Sequence, residues 1–425
     1  MLDRTKQPEY KEIKKIEIPS AEKITLDNNI PVYIIKDNVQ DVVKLTLLFD
    51  AGIWWQSKML QATSTNSLLM SGTKKYTELE IAQIADYYGA YFIPSADRDF
   101  ASMSLFSLNK HFDKTLPVFE DLIKNPTFPE KEFNTYINKK KQQFIVESSK
   151  VKTLATREFA KTLFGEKHPY GYTSELSDFE KITSLDLKNF HLSNYTYDNV
   201  KIIIAGNVTD EIIKSINETF GNIWSKKKLH QDNNFSIKTS KQKEIIIPKE
   251  NAVQSALKIG RVLFSRKHPD YIKMQVLNTV LGGYFGSRLM KNIREDKGYT
   301  YGIGSVVFPM KNDGYFAIVS EVNSGVCRDA VNEVYKEINE LIQNPVPEDE
   351  LQLVKNYMKG DMLKGFDGAF SIASKYRLLL ENNLTEDYFQ QFFNEIDNTT
   401  VSDIQKLAQK YLTNDNLINV IAGKC

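Results

Sequence analysis

Apolar residues along this chain follow two spacings, and the order in which the spacings appear occurs twice. Short runs of strand character, residues 32–35 and 42–49, open the first half, and residues 245–247 and 255–262 open the second. Each opening is followed by a helical segment, a middle strand pair and two or three further helices. Each half then closes on a short apolar run, residues 200–205 or 417–422. The first half shows one helix start with full chemistry. Thr77 and Glu80 form a capping-box pattern, and Leu79, Ile81, Ile84 and Ala85 keep helical spacing up to Gly89. Strands and helices are segregated rather than strictly alternated, which predicts an α+β fold with helices on one face of a mainly antiparallel sheet.

The two halves also share sequence landmarks. A helix followed by an Asn-Pro break and an acid-rich new helix occurs at Asn125-Pro126 and again at Asn344-Pro345, 219 positions later. The closing segments pair in the same way, with Ala205-Gly206 and Ala422-Gly423 lying 217 positions apart. A nearly constant offset predicts duplicated domains over residues 1–224 and 245–425. The lysine- and asparagine-rich stretch 225–244 between them reads as a linker.

Composition narrows the function classes. Among 425 residues, 55 are Lys or Arg and 54 are Asp or Glu, so charge supplies no reason to expect nucleic acid or anionic lipid as a partner. No apolar run approaches the ~20 residues of a membrane-spanning helix. The first residues lack the apolar core of a signal peptide, and Cys327 and Cys425 lack metal-binding spacing. Free thiols in a reducing, cytoplasmic setting are the expectation. The glycines at 282, 283 and 286 are not followed by Gly-Lys-Ser/Thr, so they do not make a phosphate-binding loop.

The segment Gln-Ala-Thr-Ser-Thr-Asn-Ser at residues 61–67 is the chemical puzzle. Five small polar residues precede the tail Leu68-Leu69-Met70-Ser71-Gly72-Thr73. With that tail, the turn His168-Pro169-Tyr170-Gly171-Tyr172 and the long stretch 281–305, the chain resembles the pitrilysin/insulinase family of zinc peptidases with an inverted motif. It is most similar to the short-chain branch that includes the mitochondrial processing peptidase. Ser287-Arg288-Leu289, Arg294-Glu295, Gly298 and Tyr301 carry the most specific part of the resemblance.

The resemblance implies a peptidase-like fold in duplicate and explains the puzzle. Active members place His-x-x-Glu-His just before the apolar tail. Here the two histidine positions are Thr63 and Ser67, the general-base position is Asn66, and Glu147 is the counterpart of the distal glutamate ligand. Zinc in such sites needs neutral imidazoles and a carboxylate, and Asn66 cannot take a proton from a metal-bound water. No two of the five histidines (111, 168, 191, 230 and 268) stand four residues apart to offer a displaced site. The expected cofactor is therefore none in this chain, with zinc only in a partner subunit.

The resemblance also implies that Arg294 and Tyr301 help bind the substrate backbone and steady the oxyanion, a task suited to a guanidinium and a phenol. The residues alone allow a plainer reading, with Arg294 a solvated helix-end cation and Tyr299, Tyr301 and Ile303 sharing one strand face. Ile93-Pro94 stands where active members carry Asn-Ala on a substrate-pairing edge strand, and proline lacks the N–H for that pairing. The leading expectation is a non-catalytic subunit that binds unfolded peptide and works beside a His-x-x-Glu-His partner. A heterodimer is the expected assembly, with a homodimer as the other possibility. A structural or peptide-binding protein outside any enzyme is the alternative, and a zinc peptidase with unusual ligands is the third.

Overall fold

The computed structural model describes residues 19–225 and 234–425. Eleven strands in these residues form two sheets. The first contains β1 (Glu22–Thr25), β2 (Pro31–Lys36), β3 (Val42–Phe49), β4 (Tyr91–Ala96), β5 (Ala101–Leu108) and β6 (Val200–Gly206), in the order β1-β2-β6-β3-β5-β4. The second contains β7 (Glu244–Pro248), β8 (Gln254–Leu263), β9 (Thr300–Pro309), β10 (Gly314–Asn323) and β11 (Ile418–Gly423), in the order β7-β11-β8-β10-β9. Apart from β1, the two orders are the same. Both sheets are antiparallel except at one position, where β2 runs parallel to β6 and β7 runs parallel to β11. The α+β duplication predicted from the landmarks is what the structure shows.

The helices of the first half are α1 (Gln61–Ser67), α2 (Glu78–Tyr88), α3 (Phe112–Lys124), α4 (Glu130–Ser148), α5 (Val151–Phe164), α6 (Asp178–Lys181), α7 (Ser184–Asn194) and α8 (Asp210–Phe220). Those of the second are α9 (Tyr271–Asn278), α10 (Cys327–Gln343), α11 (Glu348–Lys364), α12 (Ala369–Asn382), α13 (Asp387–Asn398) and α14 (Val401–Tyr411). The capping box at the start of α2 is complete, and Gly89 ends that helix in the left-handed region.

Each sheet is buried on both faces, which adds to the one-sided picture drawn from the sequence. On one face lie helices of the same half. The other face is covered by a single helix from the opposite half. Phe159 and Leu163 of α5 pack with Ala256, Val420 and Ala422 of the second sheet. Ile372 and Tyr376 of α12 pack with Ile35, Ile203 and Ala205 of the first. Two-sided burial explains why β6 and β11 read as unbroken apolar runs. Along β6, Ile202 and Ile204 face one core while Ile203 and Ala205 face the other. Gly260 of β8 makes the α5 crossing possible. A Cβ there would stand 2.9 Å from Phe159 Cζ and 1.9 Å from the Phe316 carbonyl oxygen.

The expectation of free thiols is corrected. Cys327, at the start of α10, and Cys425 form a disulfide with Cα atoms 5.1 Å apart. The two residues are 98 positions apart, and nothing in their sequence spacing announces that α10 begins beside the end of β11. Of the stretch expected to be a linker, residues 226–233 lie outside the described residues. The part that follows runs along the end of α5, where the amide nitrogens of Lys238 and Ser240 donate to Phe164 O and Thr162 O.

Buried His191 of α7 shows how the first core responds to acid. Its Nε2 lies 2.8 Å from Ile123 O and donates to that carbonyl. Burial brings its pKa down to about 4. The unfolded chain takes up the proton near pH 6.5 while the folded chain refuses it, so protons favour unfolding between those values. Stability is expected to fall by about 3 kcal/mol as pH drops from ~6.5 to ~4. Denaturant titrations of the wild type and of His191→Gln should diverge over that window and run parallel above it.

Candidate functional site

Three of the four positions that the resemblance matches to a zinc site, Thr63, Asn66 and Ser67, lie on α1, and the fourth, Glu147, lies on α4. Thr63 and Ser67 are half-buried, and Thr63 Oγ1 donates to the Leu60 carbonyl of its own turn. Asn66 is 1% exposed, and its Nδ2 donates to Ser102 O and to Tyr195 Oη, each at 3.1 Å. The amide therefore serves as a core fastener between α1, β5 and the end of α7. Burial pushes the Tyr195 phenol up, so it remains a neutral partner. Glu147, near the end of α4, is 52% exposed and paired with Lys150 at 2.6 Å. Two neutral hydroxyls, a buried amide and a solvated, paired carboxylate do not fit zinc. No cluster of three or more His, Cys, Asp or Glu suited to a metal occurs among the described residues.

The turn at residues 168–172 serves the join between halves. Tyr170 is buried, and its hydroxyl donates to Asp99 Oδ1 at 2.6 Å. Asp99 Oδ2 accepts from the Lys311 amide of the second half, and Lys311 Nζ pairs with Asp50 at 2.7 Å. Burial raises the pKa of Asp99 despite these bonds. The same local turn occurs at residues 264–271, which sequence reading missed although Phe-x-x-Lys-His-Pro is visible at both places. In each, His Nδ1 accepts the amide two residues on at 3.1 Å, and the ring stacks on the preceding phenylalanine.

Arg294 and Tyr301 are brought together. Arg294 lies in the π-helical turn Met290–Asp296, with its guanidinium 4.7 Å from the Phe285 ring centroid and 5.7 Å from that of Tyr301. It makes no ion pair or hydrogen bond among the described residues. Arg288 of the same motif is committed to the fold through a bidentate pair with Glu350 at 2.8 and 2.7 Å.

Tyr301 does not share a face with Ile303, as simple alternation predicts. Pairing between β9 and β10 shifts between Ile303↔Ser320 and Thr300↔Val322, which places one extra residue in β9. The bulge leaves Ile303 buried and Tyr301 92% exposed. Hydroxyl bonds hold it: Thr300 Oγ1 donates to Glu321 O at 2.7 Å, and Gly302 N donates to Thr300 Oγ1 at 3.1 Å. Close packing of the π-helical turn Thr279–Gly283 on β9 supports this arrangement, because a Cβ at Gly282 would stand 2.6 Å from Ser305 N. Sequence reading asked of these glycines only whether they bind phosphate and missed their contact with the strand.

Tyr301 opens onto a cleft of about 800 Å³ between the halves, with Lys150 and Lys152 from the α4–α5 junction on one wall and Glu321 of β10 on the other. Thr63, Asn66 and Ser67 do not line it. β9 is one edge strand of its sheet and β4 one edge strand of the other, with Pro94 in the middle of β4.

Two sheets of matching order and a helix α1 that carries no imidazole or carboxylate mark a non-catalytic protein on a metallopeptidase fold. The chain belongs to the insulinase family, peptidase family M16. Residues 32–169 match the model of that family, and residues 181–358 match the model described as the peptidase M16 inactive domain. Among curated relatives, the chain is 25% identical to the uncharacterized zinc protease YmxG of Bacillus subtilis, over 84% of this chain and 86% of that one. It is 22% identical to the zinc protease PqqE of Helicobacter pylori, over 93% and 90%. It is 23% identical to a probable inactive metalloprotease of B. subtilis, YmfF, over 56% and 55%. Among solved structures, a peptidase M16 inactive domain from Pseudomonas fluorescens superposes with a TM-score of 0.86 at 25% identity, covering 95% of this chain and 98% of that one. A protease from H. pylori superposes at 0.87 with 18% identity, covering 96% and 100%.

Proposed function

We propose that this chain is the zinc-less subunit of a heteromeric metallopeptidase. It binds unfolded peptide and presents Arg294 and Tyr301 to the active site of a partner that carries His-x-x-Glu-His. One observation supports the reading: α1, which the resemblance matches to the family's metal helix, is fastened into the core through Asn66, while Tyr301 is exposed and the half-buried Arg294 forms no ion pair among the described residues. A guanidinium held over a phenol on a bulged edge strand offers donors to a peptide carbonyl and to the negative charge that develops on it. Pro94 on the other edge strand weakens peptide pairing there, which suits a supporting role.

The partner supplies metal and base, and no chemical step is assigned to this chain beyond orienting the peptide and donating hydrogen bonds. No helix among the described residues is long and apolar enough to cross a membrane. The cytoplasmic placement loses the support it drew from free thiols, because a structural disulfide belongs with oxidising surroundings. The test is metal analysis and activity of the isolated chain. It should hold zinc far below one equivalent after dialysis and leave an unfolded polypeptide intact. Stoichiometric zinc that is lost in Glu147→Ala would overturn the reading.

A further inference from the structure

We propose that the second half contains a binding pocket for a small organic anion, independent of the peptidase reading. A pocket of about 280 Å³ opens between α9, α11, α12 and α13. This lies near the lower end of the range for small-molecule sites. Two buried polar groups on its wall have no partner: Oδ1 of Asn278, which is 5% exposed, and the hydroxyl of Tyr388, which is 7% exposed. Such groups are costly to bury unsatisfied, and both residues belong to the pocket wall, although neither polar atom itself reaches the open space.

The charges define the ligand's class. Arg266 and Lys375 line the pocket with the single carboxylate Asp361, and none of the three forms an ion pair among the described residues. Arg266 spends one N–H on Tyr271 Oη at 2.8 Å and keeps the rest of its fork. It lies close enough to Tyr388 to act on it electrostatically without reaching hydrogen-bonding geometry. Burial lowers the pKa of Lys375, Asp361 raises it and Arg266 lowers it again, so the pocket sets two cations against one carboxylate. Tyr357 and Phe389 supply aromatic walls. The fitting molecule carries one carboxylate or phosphate for Arg266 and Lys375 and a compact apolar or aromatic body.

Titration calorimetry and saturation-transfer NMR on the full chain test this with p-hydroxybenzoate, phenyl phosphate and the neutral p-hydroxybenzyl alcohol. At least one anion should bind with a Kd below about 1 mM, and the alcohol should bind at least about tenfold more weakly. Which anion binds better separates a carboxylate ligand from a phosphate ligand. Lys375→Met, which breaks no hydrogen bond, and Arg266→Gln should each weaken binding about tenfold or more. Tyr388→Phe should raise the melting temperature of the free chain, because it removes an unsatisfied buried hydroxyl. If Arg266→Gln disturbs folding, Lys375→Met decides alone. Absence of binding by both anions at several times that concentration, equal binding of the alcohol, or indifference to Lys375→Met would overturn the assignment.

Discussion

Breaking the Cys327–Cys425 bond, by reduction or by Cys425→Ser, is expected to lower the folding free energy by about 4 kcal/mol. The bond closes a loop spanning 98 positions, and in the chain-entropy account a loop of this length gives ~4–5 kcal/mol of restraint on the unfolded chain. The folded side should lose less, since Cys425 itself is exposed and β11 is already held between β7 and β8. Urea titrations with and without reductant measure the effect. The wild type should move to a lower midpoint on reduction, and Cys425→Ser should sit there under both conditions. A wild type indifferent to reductant would show that the bond contributes nothing to stability.

The second large effect concerns activity rather than folding. In a complex with the zinc-bearing partner, Arg294→Ala should lower kcat/KM by about 10²–10³-fold, the range seen when a donor to a developing oxyanion is removed. Tyr301→Phe should lower it less, because the ring and its contact with Arg294 survive the loss of the hydroxyl. Neither change should alter the melting temperature, since Tyr301 is solvent-exposed and Arg294 makes no ion pair among the described residues. Arg288→Ala is the matched control. It breaks the bidentate pair with Glu350 and should cost stability instead. Unchanged cleavage in Arg294→Ala would remove the supporting role from the pair and leave a peptide-binding or scaffold protein.

Much of the fold was legible because its signals are local. The Thr77–Glu80 capping box, the Asn-Pro breaks and the unbroken apolar runs of β6 and β11 each report the backbone around them. The run in β6 is the mark of a strand covered on both faces, which the one-sided reading overlooked. That α5 and α12 exchange sheets depends on packing across more than a hundred residues, and Gly260 shows its purpose only beside Phe159. The disulfide was hidden for the same reason. At the candidate site, the missing imidazoles and carboxylate were legible once the family resemblance had placed its motif on residues 63–67. What replaced it did not, because Asn66 meets Ser102 and Tyr195 only in the folded chain. The exposure of Tyr301 was misjudged from alternation, and Gly302 was the one sequence hint of the bulge. The pocket around Asn278 and Tyr388 gathers residues from four helices and has no linear signature.

The most direct test of the central claim is recovery of the tagged chain from its native cells, with mass spectrometry of whatever accompanies it and an assay for cleavage of an unfolded polypeptide. The account predicts a second chain of the same family bearing His-x-x-Glu-His, together with cleavage that a chelator abolishes. Recovery of the chain alone or with unrelated proteins, and no cleavage, would contradict it.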